Sequence, residues 1–477
     1  MTGDRPAAAV GSGRAPVIAG GDGDPVATEA AVAAYVAGGG YDRLPAPAVR
    51  VAKLAIRDCL GVILAGLAEP SGRIVADQVR AEAAVGTSTA LGRGFTTSPA
   101  AAAFVNGTTA HALDFDDSHH PSMTHPTAVL LPALLAVAEQ RASSGAELIA
   151  AYLYALDAAT AIAGGINPDH YSAGWHPTAT IGAIGAALGV ARLLNHTAER
   201  TAHAVAIAAN RASGMRSVFG SMGKAMNAGT AAQTGILAAA LAERGFTGGS
   251  GVLAGFVEAH GGGALRLSHA LDRSFTAAVG GLSIKRYPSC GVTQAPIEAA
   301  LRLAATERVS EEIDEIICTV DPYVRRLVIT HPPRTGTEAR FNLEHCVTVA
   351  LVDRMVGMAQ FSDERVGDPR VRDLASRVRV RDRAGAAAGP DMRWPCVLRV
   401  VGTDGSAASA AVDAPAGRGF GELLPERELL AKFADCARWG GLADPEVAWL
   451  VTQLDQLETL PTVEPLTAAL RRTPRRG

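Results

Sequence analysis

The spacing of apolar residues divides the chain into two parts. From about residue 26 to residue 282, apolar side chains recur every three or four positions or cover nearly every face of a segment. This periodicity predicts α-helices, and helices that are apolar all round lie in the interior of a protein. The clearest helical segments are 49–67, 128–141, 146–163, 179–194 and 230–244. The first half of the chain is therefore predicted to be a thick helical bundle.

A different pattern begins after Pro288. Short stretches of alternating apolar and polar residues predict β-strands, and they occupy residues 315–320, 376–381, 396–401 and 407–412. Helical spacing is mixed in at about 295–305 and 346–355, and it returns from residue 425. We expect an α+β segment with a small antiparallel sheet and helices on one side. The predicted fold class is mainly α, with a large all-helical domain and a smaller α+β domain.

The composition of the 477 residues narrows the class of protein. Hydrophobic residues make up 48% of the chain and aromatic ones only 5%, so Ala, Val, Leu and Gly supply most of the buried surface. A positive mean hydropathy suggests that more surface is buried between subunits, and a homodimer is the simplest expectation. The net charge of −3, with both signs interspersed, does not give the basic surface of a nucleic-acid-binding protein.

Targeting and redox signals point to a cytoplasmic protein. The longest apolar runs, 128–138 and 180–194, are too short to span a bilayer. Residues 1–25 lack the apolar core of a secretory signal and are predicted to be a disordered tail. The six cysteines are scattered along the sequence, without metal-ligand spacing, which favours reduced, buried thiols over an iron–sulfur cluster. We expect no membrane association.

Acidic and imidazole side chains are concentrated between residues 106 and 126. Because Asp, His and Ser are poor helix formers, this segment is predicted to be a loop between two helices. Loops held on a rigid scaffold often carry reactive groups. A solvated connection with incidental histidines is the alternative interpretation. The candidates are His111, Asp114, Asp116, Asp117, His119, His120 and His125.

Three histidines of the helical part immediately precede a proline: His120, His125 and His176. The last two open the same phrase, His-Pro-Thr-Ala. Since proline is favoured at the first helical position, each histidine is expected at or near a helix N-cap. There the helix dipole favours neutral imidazole and attracts anions, which suits a general base or a proton shuttle. A histidine that merely caps its helix is the alternative.

Cationic residues are candidates for binding an anionic substrate. Lys224 lies in a Gly/Met/Ala stretch that leads into an apolar helix, where an ammonium group needs an anionic partner. The stretch is not a P-loop, because Val218 and Ala225 stand where that motif needs Gly and Ser or Thr. Lys285 and Arg286 are adjacent at the boundary between the two patterns, where paired cations could clamp carboxylates. A surface lysine and an interdomain salt bridge are the alternatives.

Together these phrases resemble the MmgE/PrpD family, which includes 2-methylcitrate dehydratase, cis-aconitate decarboxylase and iminodisuccinate epimerase. The similar motifs are Asp114-Phe-Asp-Asp-Ser-His-His-Pro, Gly174-Trp-His-Pro, residues 220–227, Lys285-Arg-Tyr-Pro-Ser-Cys-Gly and Glu338-Ala-Arg-Phe, in family order. The resemblance implies a helical domain of residues 26–283, an inserted α+β lid domain of 284–415 and C-terminal helices of 416–470 that pack back on the helical domain. It also implies a homodimer with a cleft between the domains that needs no metal or organic cofactor.

The resemblance also implies site residues. Asp114 and His125 match the acidic and histidine site positions of the first motif, and Ser118 falls where cis-aconitate decarboxylases carry Thr. Further pocket positions are matched by His176, Lys224, Lys285 and Tyr323. Together with the cation argument above, this predicts Asp114, His125, His176 and Lys224 as catalytic residues, and Ser118, Lys285, Arg286 and Tyr323 as substrate-binding residues.

These residues and the resemblance predict a cofactor-independent lyase that acts on a small di- or tricarboxylic acid. Cations and helix N-termini would stabilise the negative charge that develops when a C–H or C–COO⁻ bond breaks, while His125 and His176 would move a proton. The sequence differs from the decarboxylase pattern by Ser118 and by one extra residue between Asp114 and His125. Dehydration of a 2-methylcitrate-like hydroxy acid is therefore the first prediction, with cis-aconitate-type decarboxylation or epimerisation as the alternative.

Two other classes of protein stay open. The carboxylates and imidazoles of residues 114–125 could form the site of a metal-dependent hydrolase, although their pattern fits no standard ligand spacing. A non-catalytic binding protein could also keep this fold.

Overall fold

The computed structural model describes residues 25–471, apart from 262–263, 273, 307–311, 386–392 and 418–422. The predicted disordered tail lies outside the described residues except for Pro25, where the first helix begins. The α-helices of the described part are α1 (Pro25–Ala37), α2 (Ala46–Gly66), α3 (Pro70–Glu82), α4 (Pro99–Ala110), α5 (Thr127–Arg141), α6 (Gly145–Ile166), α7 (Asp169–Ser172), α8 (Pro177–Leu193), α9 (Ala198–Arg211), α10 (Met222–Glu243), α11 (Val252–Ala259), α12 (Gln294–Ala304), α13 (Gly336–Ala339), α14 (Leu343–Asp353), α15 (Asp363–Gly367), α16 (Pro369–Ala375), α17 (Glu426–Trp439), α18 (Asp444–Asp455) and α19 (Glu464–Arg471). The strands are β1 (Ser88–Ala90), β2 (Phe95–Thr97), β3 (Ser118–His119), β4 (Leu282–Ser283), β5 (Ile313–Val320), β6 (Val378–Asp382), β7 (Cys396–Gly402) and β8 (Ala407–Val412).

The helical part is a bundle with its most apolar helices inside, and the prediction of a mainly α fold is confirmed. Helices α5, α6 and α8 are buried along nearly their whole length. Small residues let them approach closely, since a Cβ added to Gly185 would lie 2.9 Å from the Cβ of Ala159. Helix α6 has the length and composition of a membrane span, but 89% of its most apolar 18-residue window is buried inside the protein. It is an interior helix of the bundle.

The α+β part contains a four-stranded sheet in the order β6-β5-β7-β8. Strands β5, β7 and β8 pair antiparallel, as expected, but β5 and β6 are parallel. The prediction of a wholly antiparallel sheet is therefore wrong. A parallel pair needs a long crossover, and helices α13 to α16 lie in the chain between β5 and β6. Helix α12 packs on β7 and β8, and α14 packs on α12.

The last helices of the chain contact the first ones. Helix α17 packs along α2, where a Cβ added to Gly61 would lie 2.9 Å from the ring of Phe433. Lys432 pairs with Asp58 of α2 at 2.7 Å and donates a hydrogen bond to the backbone oxygen of Phe115. Because Phe115 follows α4, this lysine fixes the loop that carries most of the candidate site.

Candidate active site

The loop between α4 and α5 reverses sharply at Asp114. Its φ of 49° lies in the left-handed region, which Asp tolerates better than most residues. Four residues later, Ser118 pairs with Ser283 in a two-stranded ladder. This ladder brings the start of the α+β part against the loop, so that Lys285 reaches Asp114.

A close helix crossing brings Lys224 to the same loop. Helices α4 and α10 meet at two glycines, Gly107 and Gly229, and a Cβ added to Gly229 would lie 2.3 Å from the backbone oxygen of Phe104. Only glycine fits at such a distance. The crossing places the first turn of α10, which carries Lys224, beside the end of α4, where His111 forms the C-cap.

Asp114 is the ionic centre of the site. Its Oδ1 accepts hydrogen bonds from Lys285 Nζ at 2.5 Å and from Lys224 Nζ at 3.0 Å. Burial raises the pKa of Asp114, but the two ammonium groups outweigh it and hold the pKa below its usual value. Burial lowers the pKa of Lys285, and the carboxylates of Asp114 and Asp116 reverse this into a net increase. The site therefore holds one carboxylate between two ammonium groups.

His125 presents a free lone pair to the cavity. Its Nδ1 lies 2.9 Å from the backbone oxygen of Asp117, which only accepts, so Nδ1 carries the proton. In a neutral ring Nε2 is then an acceptor, and it lies 4.0 Å from Asp114 Oδ1. Burial lowers the pKa of His125 to about 4, and Lys285 contributes to the decrease. His125 is thus a neutral base in the substrate-free protein.

His176 has the opposite arrangement. It is the N-cap residue of α8, as predicted, and its Nδ1 lies 3.1 Å from the amide nitrogen of Asn227, which donates. The remaining proton of the neutral ring is therefore on Nε2, which is buried without a hydrogen-bond partner among the described residues. Burial, followed by Lys224, lowers the pKa of His176 well below its usual value. This ring offers a donor to the cavity.

The prediction of a histidine at or near a helix N-cap is confirmed for His125 and is wrong for His120. Pro126, not His125, precedes α5 as its N-cap residue. His120 precedes a turn that closes onto Thr124, where no helix begins in the described chain. The phrase His-Pro therefore precedes a helix at His176 and, with the cap one residue later, at His125, whereas at His120 it precedes a turn.

These groups line one cavity between the helical part and the α+β part. Asp114, His125, His176 and Lys224 line it from one side, and Lys285 from the other. The five residues that the sequence predicted to converge on an anion are brought together.

The predicted substrate-binding residues are divided by the structure. Ser118 and Tyr323 line the cavity, and Tyr323 stacks on Trp394 with ring centroids 5.7 Å apart. Arg286 does not line it: its side chain is 40% exposed and pairs with Glu428 at 3.1 Å. The prediction that Arg286 clamps a carboxylate is corrected, because its guanidinium group pairs with Glu428 of α17 outside the cavity. The salt-bridge alternative describes it.

Sequence reasoning assigned no role to three residues that hold the site groups. His111 and Asp116 lie in the acidic loop, and Asn227 lies in the 220–227 motif, but a motif does not tell which members face one another. His111 Nδ1 donates to Asp116 Oδ2 at 2.8 Å, and its Nε2 lies 2.9 Å from Lys224 Nζ. The sequence signal that could have indicated a role for His111 is its position three residues before Asp114, at the C-terminus of α4.

Four of these side chains also form a candidate metal-binding group. His111, Asp114, Asp116 and His125 each offer a ligand atom within 4.8 Å of the others. However, Asp114 Oδ1 and His111 Nε2 already accept hydrogen bonds from ammonium groups. A divalent cation at these two atoms would lie against the positive charges of Lys224 and Lys285, so the donor set fits a resident metal poorly.

Comparison with known proteins covers nearly the whole described chain. The MmgE/PrpD N-terminal domain matches residues 30–265, and the MmgE/PrpD C-terminal domain matches residues 287–452. A cis-aconitate decarboxylase of Aspergillus terreus is 27% identical over 454 residues, which span 87% of this chain and 91% of the relative. A cis-aconitate decarboxylase of Mus musculus is 26% identical over 449 residues, covering 89% of each. One of Homo sapiens is 28% identical over 302 residues, covering 59% and 61%.

Proposed function

Because the chain belongs to the MmgE/PrpD family, we propose that it is a carboxy-lyase that removes CO₂ from an unsaturated tricarboxylate of the cis-aconitate type. The names of its full-length relatives support decarboxylation over the dehydration that the sequence favoured first. The observation that carries the proposal is the convergence of two ammonium groups and two neutral imidazoles on one cavity around Asp114.

Charge and hydrogen bonding suit the binding of a polycarboxylate. The cavity lining presents Lys224 and Lys285 against the single carboxylate of Asp114, so the groups that a substrate can contact carry more positive than negative charge when the imidazoles are neutral. Substrate carboxylates can accept from the remaining N–H bonds of the two lysines and from His176 Nε2. These donors are already oriented by protein contacts, so they stabilise developing charge at little reorganisation cost.

Decarboxylation needs one electron sink and one proton. When the bond between a CH₂ group and its carboxylate breaks, its electron pair forms a new C=C bond. The original C=C pair moves to the carbon beside a remaining carboxylate, and that carbon takes up a proton. The balance is one carboxylate and one proton consumed, and one CO₂ and one new C–H bond formed. Lys224, Lys285 and His176 would stabilise the charge that passes into the remaining carboxylates.

His125 is the proposed proton donor. In the substrate-free protein its Nε2 is an unprotonated base, because burial lowers its pKa to about 4. Substrate carboxylates in contact with the ring favour the imidazolium form and raise this pKa. Substrate binding would thus load His125 with the proton that the new C–H bond requires.

Dehydration of a hydroxy acid remains the second candidate. The free lone pair of His125 Nε2 is also suited to removing a proton from carbon. Lys224 could then donate to the leaving hydroxyl group.

We further propose that the protein works in the cytoplasm as a homodimer without metal or organic cofactor. Sedimentation at micromolar concentration would test the dimer, and full activity after dialysis against a chelator would support metal independence.

The decisive experiment is incubation with a panel of cis-aconitate, 2-methylcitrate and related acids, with products identified by mass spectrometry. Loss of CO₂ from cis-aconitate supports the proposal. Loss of water from a hydroxy acid instead would establish the second candidate, and no turnover across the panel would refute both.

A matched pair of variants ties the activity to the cavity. Lys285→Met should lower kcat/KM by about 10²–10³-fold, the scale for loss of an oriented electrostatic donor. Arg286→Met removes the neighbouring cation, which pairs with Glu428 outside the cavity, and should cost about threefold or less, as expected for a partly exposed ion pair.

A further inference from the structure

His111 lies behind Lys224, on the side away from the main cavity. It does not line the main cavity; it lines a smaller one that reaches Lys224 and Asp114 from the other side. The side chain of His111 is fully buried. A group in this place does not touch a substrate bound in the main cavity, so any effect on the reaction passes through the residues between.

The hydrogen bonds of His111 fix its tautomer. An ammonium group only donates, so Nε2, which lies 2.9 Å from Lys224 Nζ, must be an acceptor. The ring proton is therefore on Nδ1, where it is donated to Asp116 Oδ2 at 2.8 Å. Asp116 is itself fully buried, and it determines which nitrogen of His111 faces the lysine.

Lys224 is held by a pair of acceptors. Two of its three N–H bonds point to His111 Nε2 and Asp114 Oδ1. The rings of Phe219 and Phe341 flank its ammonium group, each with a centroid 5.4 Å away. With two bonds fixed, the third N–H has a defined direction, and Lys224 lines the main cavity.

We infer that His111 is a positioning residue that, with its tautomer set by Asp116, aims the ammonium group of Lys224 at the substrate. The inference rests on the proposed function, because it assigns Lys224 to the substrate. It adds a relay of three side chains, Asp116 to His111 to Lys224, to the residues that line the cavity. The relay explains why a buried carboxylate and a buried imidazole lie where no substrate reaches them.

The test is a double-mutant cycle between His111 and Lys224. His111→Phe keeps the ring volume between His125 and His176, whose centroids lie 4.7 Å and 5.8 Å away, but removes the acceptor. In the wild-type background it should lower kcat/KM by about 10²-fold, the scale for misplacing a catalytic group. In a Lys224→Ala background the same substitution should cost about threefold or less, because residues that act as a unit are not additive.

Rescue and a control separate positioning from folding. His111→Gln restores an acceptor for Lys224 and should recover at least about tenfold of the loss, the value of one hydrogen bond to a charged group. His345→Phe is the control, since His345 is a buried histidine whose Nε2 donates to the backbone oxygen of Gln360, away from the cavity. His345→Phe should lower the unfolding temperature. Its effect on kcat/KM should add to that of Lys224→Ala.

The outcomes of these measurements separate the inference from the proposed function. Non-additivity of His111→Phe with Lys224→Ala, together with rescue by Gln, supports the inference. Full additivity, or equal losses for Phe and Gln in folded protein, overturns it. If the wild-type protein turns over no acid of the panel, the proposed function fails instead, which is a separate result.

Discussion

The segments 125–128 and 176–179 have the same sequence, His-Pro-Thr-Ala, yet their histidines are chemical opposites. His125 donates from Nδ1 to a backbone oxygen and presents a lone pair, whereas His176 accepts at Nδ1 from Asn227 and presents an N–H. The difference arises from the partner of Nδ1 in each ring, and both partners lie outside the repeated phrase. Burial keeps both imidazoles neutral, but the shared motif does not determine the tautomer. The tautomer decides whether a ring presents a lone pair or an N–H to the cavity.

The largest expected effect is the loss of the lone pair of His125. His125→Ala should lower kcat by about 10²–10⁴-fold, the usual contribution of general acid–base catalysis. KM should change less, because the two lysines that hold the carboxylates remain. Steady-state kinetics with the acid that wild-type protein consumes would measure both constants. Full activity would remove His125 from the mechanism.

Loss of the N–H donor of His176 should lower the activity somewhat less than loss of the lone pair of His125. His176→Ala removes one oriented N–H and should lower kcat/KM by about 10²–10³-fold. His176→Gln, which can offer an amide N–H from a similar position, should recover part of that loss, whereas Gln at position 125 should not. If Gln rescues both positions equally, the two histidines do not differ in the way described.

A smaller effect is expected from changing only the tautomer. Asn227→Asp replaces the amide donor at His176 Nδ1 with an acceptor, which moves the ring proton to Nδ1 and leaves a lone pair towards the cavity. We expect about 10–10²-fold lower kcat/KM, since one donor is lost while the ring stays in place. Asn227→Leu imposes no tautomer and should be milder. If Asn227→Leu lowers kcat/KM as much as Asn227→Asp does, the tautomer of His176 is not the cause of the loss.

The last expected effect is on stability and leaves the rate constants aside. Burial lowers the pKa of His125 to about 4 in the folded protein, below the unfolded value of about 6.5. Between these values the unfolded chain binds the extra proton, so stability is lost as pH falls from about 6.5 towards 4, by up to about 1.4 kcal/mol per pH unit. His125→Phe should lose less stability over this range than wild type in urea unfolding. Parallel losses would show that His125 does not cause the difference.

The sequence predicted much of the helical part and only some of the site. The spacing of apolar residues located α2, α5, α6 and α8, because most of the residues in these helices are buried. It missed the parallel pairing of β5 and β6, which depends on a crossover and not on local pattern. Lysines in apolar surroundings were recognisable because a buried charge requires a partner.

The partners themselves were not predictable. Lys224 meets Asp114 and His111 only because two glycines, Gly107 and Gly229, allow α4 and α10 to cross closely. Arg286 was misassigned for the converse reason. Lys285 and Arg286 are adjacent cations, and nothing in the sequence shows that Lys285, not Arg286, faces the loop.

Neutron diffraction from crystals of the substrate-free protein in deuterated buffer near neutral pH would test the opposite tautomers most directly. The structure predicts deuterium on His125 Nδ1 and on His176 Nε2, with none on His125 Nε2 or His176 Nδ1. Deuterium on the cavity-facing nitrogen of His125, or its absence from that of His176, would contradict the account. In that account His125 is unprotonated at Nε2 in the substrate-free protein, and His176 is the hydrogen-bond donor.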